Sequence, residues 1–123
     1  MTNLYGVHPR LRRVVEEAIR RTPVDFGVTE GLRTYSRQVQ MFNAGATQTM
    51  NSRHLTGHAV DLVAYVGNRI SWEMPYYKAI KDVMFEVAAE MDVELEWGGD
   101  WKTFKDGPHF QLSWKRYPAG RDV

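Results

Sequence analysis

An aspartate in the middle of an apolar run limits this fold more tightly than any other feature of the chain. Ala59-Val60-Asp61-Leu62-Val63-Ala64-Tyr65-Val66 reads as a buried strand. A lone carboxylate inside such a strand loses its hydration with nothing to replace it, which costs several kcal/mol or forces protonation. Asp61 therefore needs a cationic partner, and a metal ion is a common one. His54 stands seven residues earlier. On one straight strand the two side chains would lie roughly 23 Å apart, so they can share an ion only if the chain turns between them. Gly57 permits that turn. A third ligand is available at the other end of the chain, in Asp106-Gly107-Pro108-His109. The fold has to bring His109 to His54 and Asp61.

Two histidines and one carboxylate leave the fourth tetrahedral position to water, the composition of a catalytic rather than a structural zinc site. Such an ion lowers the pKa of bound water to about 7, and a nearby carboxylate must then take the proton and pass it to the leaving amine. Asp106, on a glycine-containing loop just before His109, is the candidate for that role. Cysteine is absent, which excludes disulfides and thiolate metal sites and leaves zinc to imidazole and carboxylate.

At 123 residues the chain is expected to form one domain, 1–123, with 43% hydrophobic and 25% charged residues. A net charge of +1 implies no general attraction to nucleic acid or to anionic membrane. No apolar run approaches the roughly 20 residues of a membrane span, so no membrane insertion is expected. Met1 to Val7 lack a basic region followed by a long apolar core, so no signal peptide is expected. The chain is expected to be made in the cytoplasm, to act as a monomer, and to leave only if another agent exports it.

Pro9 to Arg21 is the first expected helix, with Pro9 at its first position and Leu11, Val14, Val15, Ala18 and Ile19 at helical spacing. Its arginines are interrupted by Glu16 and Glu17 and read as a solvated face. His8 reads as its cap or as exposed. Phe26 to Glu30 reads as a short strand, Gly31 to Thr34 as a loop, and Ser36 to Ala44 as a helix closed by Gly45. Ala46 to Arg53 reads as a polar loop. After the Asp61 strand, Gly67-Asn68 is a turn. The longest helix is expected over Pro75 to Met91, with Tyr76, Ile80, Val83, Met84, Val87 and Met91 facing the core. Glu94 to Trp97 alternates as a half-buried strand with Glu96 turned to solvent. Lys102 to Pro108 reads as loop. In the last strand His109, Gln111 and Ser113 share one face, with Phe110 and Leu112 on the other. Trp114 to Val123 is a basic tail. The whole reads as an α+β domain, with helices on one side of a small, mainly antiparallel sheet and zinc in a cleft across it.

Ser52, His54, Gly57, Ala59 and Asp61 spell Ser-x-His-x-x-Gly-x-Ala-x-Asp. This resembles the signature of the zinc D-alanyl-D-alanine carboxypeptidase and L-alanyl-D-glutamate endopeptidase family. Gly31-Leu32-Arg33-Thr34 with Gln38 is similar to an upstream element of that family. Glu96-Trp97-Gly98-Gly99-Asp100-Trp101 and Asp106-Gly107-Pro108-His109 are similar to its C-terminal half. The four motifs run in order from about Phe26 to Leu112.

The resemblance implies one zinc per chain held by His54, Asp61 and His109, with Asp106 as catalytic base. It implies that Arg33 polarises the scissile carbonyl, a role its donors and charge suit, and that Ser52 stands near the substrate. Asp rather than Glu as base, with the short chain, is similar to the endolysins of tailed phages. These cut the peptidoglycan stem peptide between L-alanine and D-glutamate to lyse the host. The tail after Ser113 is short, so no separate cell-wall-binding domain is expected. The alternatives are a D-alanyl-D-alanine carboxypeptidase and a binding protein that keeps zinc without turnover.

Other polar residues carry two readings each. His58 with His54 mimics an i, i+4 metal pair, but no glutamate follows His54 and Gly57 argues against a helix, so His58 is surface or cleft wall. Asp106 is also a turn former beside Gly107. Arg33 also suits an ion pair with an acidic neighbour. Trp97, Asp100 and Trp101 either line the cleft or serve packing and loop capping.

Overall fold

The computed structural model describes residues 2–46, 52–103 and 105–118. Helix α1 (Pro9–Arg21) begins where the sequence places a proline and a cap: the ring Nδ1 of His8 accepts a hydrogen bond from the Arg10 backbone N–H at 3.1 Å. Leu11, Val14, Val15 and Ala18 form its buried stripe. Its charged residues pair along the surface, and Arg21 reaches Glu90 at the far end of α3 (Met74–Glu90) at 2.9 Å. α1 and α3 pack together against one face of the sheet.

The sheet comprises β1 (Phe26–Glu30), β2 (Ala59–Val66), β3 (Arg69–Ser71), β4 (Leu95–Trp97) and β5 (His109–Leu112). Its order is β1-β2-β5-β4, with β3 added to the far part of β2, and every pairing is antiparallel. β2 is the central strand, which is why its first residues are buried on both faces while Tyr65 and Val66 emerge into solvent. The core face presents Val60, Leu62 and Ala64 of β2, Phe110 and Leu112 of β5, and Leu95 and Trp97 of β4 to α1 and α3. Residues of opposite parity form the other face. His109 stands opposite Asp61, and Gln111 stands opposite both Ala59 and Glu96. Asp61, His109, Gln111 and Glu96 therefore share one face of the sheet.

β1 would leave Glu30 on the core side with Phe26 and Val28, because all three share parity. A register shift between Val28 and Glu30 places Glu30 opposite Asp61 instead, and the extra residue turns its carboxylate to the cleft face.

Several local expectations shift. α2 spans Tyr35–Asn43, one residue earlier than the spacing suggests, because the Thr34 hydroxyl caps it by accepting from the Arg37 N–H at 3.1 Å. α2 adds no residue to the core cluster; its buried residue is Gln38, so this helix stands apart from the α1 and α3 layer. In α3 the buried aromatic is Tyr77, not Tyr76, which with Met91 is only partly buried. The Tyr77 hydroxyl donates to Ser71 O and accepts from the Ala64 N–H, so burying this ring leaves no polar atom unmatched. The turn at Gly67-Asn68 continues into β3, a strand too short to show a period. The expected loops over Ala46–Arg53 and Lys102–Pro108, and the tail over Trp114–Val123, lie partly outside the described residues.

Candidate active site

The motif around His54 folds as a 3-10 turn, Arg53–Thr56, that delivers the chain into β2. The Ser52 hydroxyl caps it, accepting from the His54 N–H at 3.1 Å. Gly57 ends it with φ +76°, and a side chain there would collide with the carbonyl of Gly6. The reversal brings His54 beside Asp61. The pairing of β2 with β5 supplies His109 from the other side.

His54 Nε2 and His109 Nδ1 each lie 3.2 Å from Asp61 Oδ1, and the ring centroids are 5.1 Å apart. One ligand atom from each of the three residues falls within 4.8 Å of the others. The protons on the rings are fixed from outside. His54 Nδ1 donates to Gly31 O at 2.8 Å, so the lone pair of the neutral ring is on Nε2. Gln111 donates through its Nε2 to Glu96 Oε1 at 2.8 Å, so Gln111 Oε1 accepts from His109 Nε2 at 2.7 Å and leaves the lone pair on His109 Nδ1.

The buried Nε2 of His54 has no hydrogen-bond partner, since its approach to Asp61 lacks hydrogen-bond geometry. Two imidazole lone pairs and a carboxylate oxygen thus converge with nothing protic between them. That donor set fits a zinc ion, with outer partners orienting each ring. Burial alone would raise the Asp61 pKa, but the imidazoles of His109 and His54 facing it outweigh that and hold the carboxyl well below its usual range. Burial opposes protonation of His109, while Asp61, Gln111 and Asp106 outweigh that and raise its pKa.

Asp106 is held on its loop by backbone bonds: its N–H donates to Gly98 O at 3.0 Å and its carbonyl accepts from the His109 N–H at 3.1 Å. Burial, then repulsion from Asp61, raises its pKa. Arg33 is buried, with Nη1 donating to Gln38 Oε1 and Nη2 to Glu30 Oε1, both at 2.7 Å. Asp61 Oδ2 lies 3.7 Å away, and Arg33 Nε has no partner. Arg33 thus pairs with acidic neighbours and lines the cleft as well.

All the anticipated residues, Arg33, Ser52, His54, Asp61, Asp106 and His109, line one cleft of about 420 Å³. Glu96 is a correction. The alternation that placed it off the core is right, but that face of the sheet is the cleft, where Glu96 accepts from Gln111 rather than facing open solvent. Trp101 also lines the cleft, its ring 5.0 Å from that of His109. Trp97 belongs to the core and supports the Asp106 loop by donating from Nε1 to Gly107 O at 2.7 Å. Asp100 is exposed, and His58 packs beside His8 outside the cleft lining. Sequence reasoning missed Gln111 as the partner of His109, although strand parity already places it on the same face. It also passed over Arg53 and Trp114 in the lining, and Arg53 stands between two motif residues.

A model of the family described as phage L-alanyl-D-glutamate peptidase matches residues 1–113. An L-alanyl-D-glutamate peptidase of Listeria phage A118 is 41% identical over 90 residues, covering 73% of this chain and 31% of that protein, so the chain spans about a third of its length. An L-alanyl-D-glutamate peptidase of Escherichia phage T5 is 29% identical over 121 residues, covering 95% of this chain and 88% of the relative. Among solved structures, an L-Ala D-Glu endopeptidase of Serratia marcescens superposes with a TM-score of 0.92 at 53% identity, covering 96% of this chain and 89% of that one.

Proposed function

The chain belongs to the phage L-alanyl-D-glutamate peptidase family, and from that premise we propose that it is a zinc-dependent endopeptidase that hydrolyses the L-alanyl–D-glutamate bond of the peptidoglycan stem. The observation that carries the reading is the unpartnered His54 Nε2 converging with His109 Nδ1 on Asp61, beside a half-buried Asp106. His54, Asp61 and His109 would hold one zinc ion. When bound, zinc supplies a Lewis acid that polarises the scissile carbonyl and acidifies the attacking water.

The remaining work belongs to side chains. Asp106 accepts the proton of the water as it attacks and returns it to the leaving amine. Its raised pKa favours the first transfer, because a more basic carboxylate takes the proton of the water more readily. Arg33 offers its free Nε and its charge to the oxygen of the tetrahedral intermediate. Gln111 and Glu96 fix the orientation of His109, and the Ser52 hydroxyl fixes the turn that carries His54 at the edge of the substrate cleft. A binding protein that merely retains zinc would need neither Asp106 nor Arg33.

No helix among the described residues is long and apolar enough to cross a membrane. Such an enzyme, released from an infected cytoplasm, would reach the wall through a lesion made by another protein and act as a monomer on the stem peptide.

Digestion of purified peptidoglycan, with amino-terminal labelling and mass spectrometry of the fragments, tests the bond. New amino-terminal glutamate on the released stem, together with falling turbidity of permeabilised Gram-negative cells, is expected. Free D-alanine with unchanged turbidity would replace the reading with a D-alanyl-D-alanine carboxypeptidase.

A further inference from the structure

Arg53 lines the cleft but takes no part in the chemistry above. It precedes His54 in the 3-10 turn and is 3% exposed. One nitrogen, Nη2, donates to the carbonyls of Leu112, Ser113 and Tyr117 at 2.9, 3.2 and 2.6 Å. These bonds tie the turn to the end of β5 and would suffice for a structural role. They leave the rest of the group unexplained. Nε and Nη1 are buried with no hydrogen-bond partner, and among the described residues no carboxylate forms an ion pair with this guanidinium. The ring of Trp114, also in the cleft lining, stacks on the guanidinium at 4.0 Å, a cation–π contact.

A buried cation with unpaired donors is costly unless something pairs with it, and charge-assisted bonds formed away from water are the strong ones. The acidic group nearest in effect, Glu96, already accepts from Gln111. Arg33 differs, since Glu30 and Asp61 balance its charge. Among the described residues, the cleft therefore holds one guanidinium paired with carboxylates and one without.

The next step rests on the proposed L-alanyl–D-glutamate specificity. A D-glutamyl residue has two carboxyl groups. One continues the stem, and the other remains a free anion on the leaving-group side, a few bonds from the scissile nitrogen. We infer that Arg53 binds this free carboxylate of the D-glutamyl residue and is a specificity-determining residue of the cleft. Its Nε–H and Nη1–H are the unpaired donors, and the Trp114 ring covers the guanidinium beside them.

The test compares two soluble stem peptides, one with the free D-glutamyl carboxylate and one with that group as the primary amide. Wild-type enzyme should favour the carboxylate peptide by roughly tenfold or more in kcat/KM, mainly through KM. In Arg53→Gln the preference should fall to near one. Arg53→Lys, which keeps the charge but not the donor geometry, should retain part of it. A structural role would lower both peptides equally and preserve the ratio in the variants, which would overturn the inference. So would a wild-type ratio near one, a result that needs no variant to fold. Cleavage of neither peptide at the L-alanyl–D-glutamyl bond would refute the bond assignment, and the inference with it.

Discussion

A neutral imidazole has one lone pair to offer, and in both histidines of this site the other nitrogen is already bonded. Gly31 O holds the proton of His54 on Nδ1, and Gln111 holds that of His109 on Nε2. Ligand and base should therefore separate cleanly by mutation. His54→Ala and His109→Ala should lose zinc by elemental analysis, while Asp106→Asn should keep it and lose turnover by ~10²-fold or more. Full zinc in both histidine variants would refute the ligand assignment. Gln111→Leu should leave the ligand atoms in place yet weaken zinc binding by roughly 10- to 100-fold, because His109 loses the acceptor that fixes its ring. Competition with a chelator of known affinity measures this, and unchanged affinity would show that β5 alone orients the ring. The cluster of His54, Asp61 and His109 was legible because Asp61 is anomalous in its run. Gln111 and Glu96 carry no such anomaly: alternation indicates which face a residue takes, not what fills that face.

At the scale of elements, the site depends on how β1 and the loop before β5 depart from regularity. The register shift in β1 turns Glu30 toward Arg33, and nothing in Phe-Gly-Val-Thr-Glu announces it. β3 escaped notice because three residues cannot display a period, whereas α1 and α3 were legible from long apolar stripes. The tight contact of Gly98 with the Asp106 segment is likewise a tertiary fact. A Cβ on Gly98 would meet the Asp106 carbonyl and crowd the side chains of Asp106 and His109 at 3.0 and 3.1 Å. Gly98→Ala should therefore push the Asp106 loop outward. A displacement of about 1 Å is enough to lower turnover by up to ~10²-fold. Zinc content should fall less than activity, since Asp61 and His54 sit on other elements. Wild-type kinetics in Gly98→Ala would mean that the loop yields without moving its carboxylate.

For the molecule as a whole, the three proposed ligands bring together parts of the chain that lie far apart in sequence. His54 lies on the turn before β2, Asp61 within β2, and His109 at the start of β5. Without an ion, two imidazole lone pairs and a carboxylate face one another in a buried place. An ion that binds this folded arrangement and not the unfolded chain adds RT ln(1 + [L]/Kd) to stability, about 2.7 kcal/mol at a hundredfold excess over Kd. For a chain of 123 residues, each kcal/mol corresponds to about 4 °C in Tm. Removing zinc by dialysis against a chelator should thus lower Tm by roughly 10 °C, and stoichiometric zinc should restore it. Asp106→Asn should show the same response, because its carboxylate is not a ligand. His54→Ala should start near the zinc-free value and respond little to either treatment. A zinc-free protein that melts with the zinc-loaded one would show that the three-residue cluster does not bind the ion in its folded state.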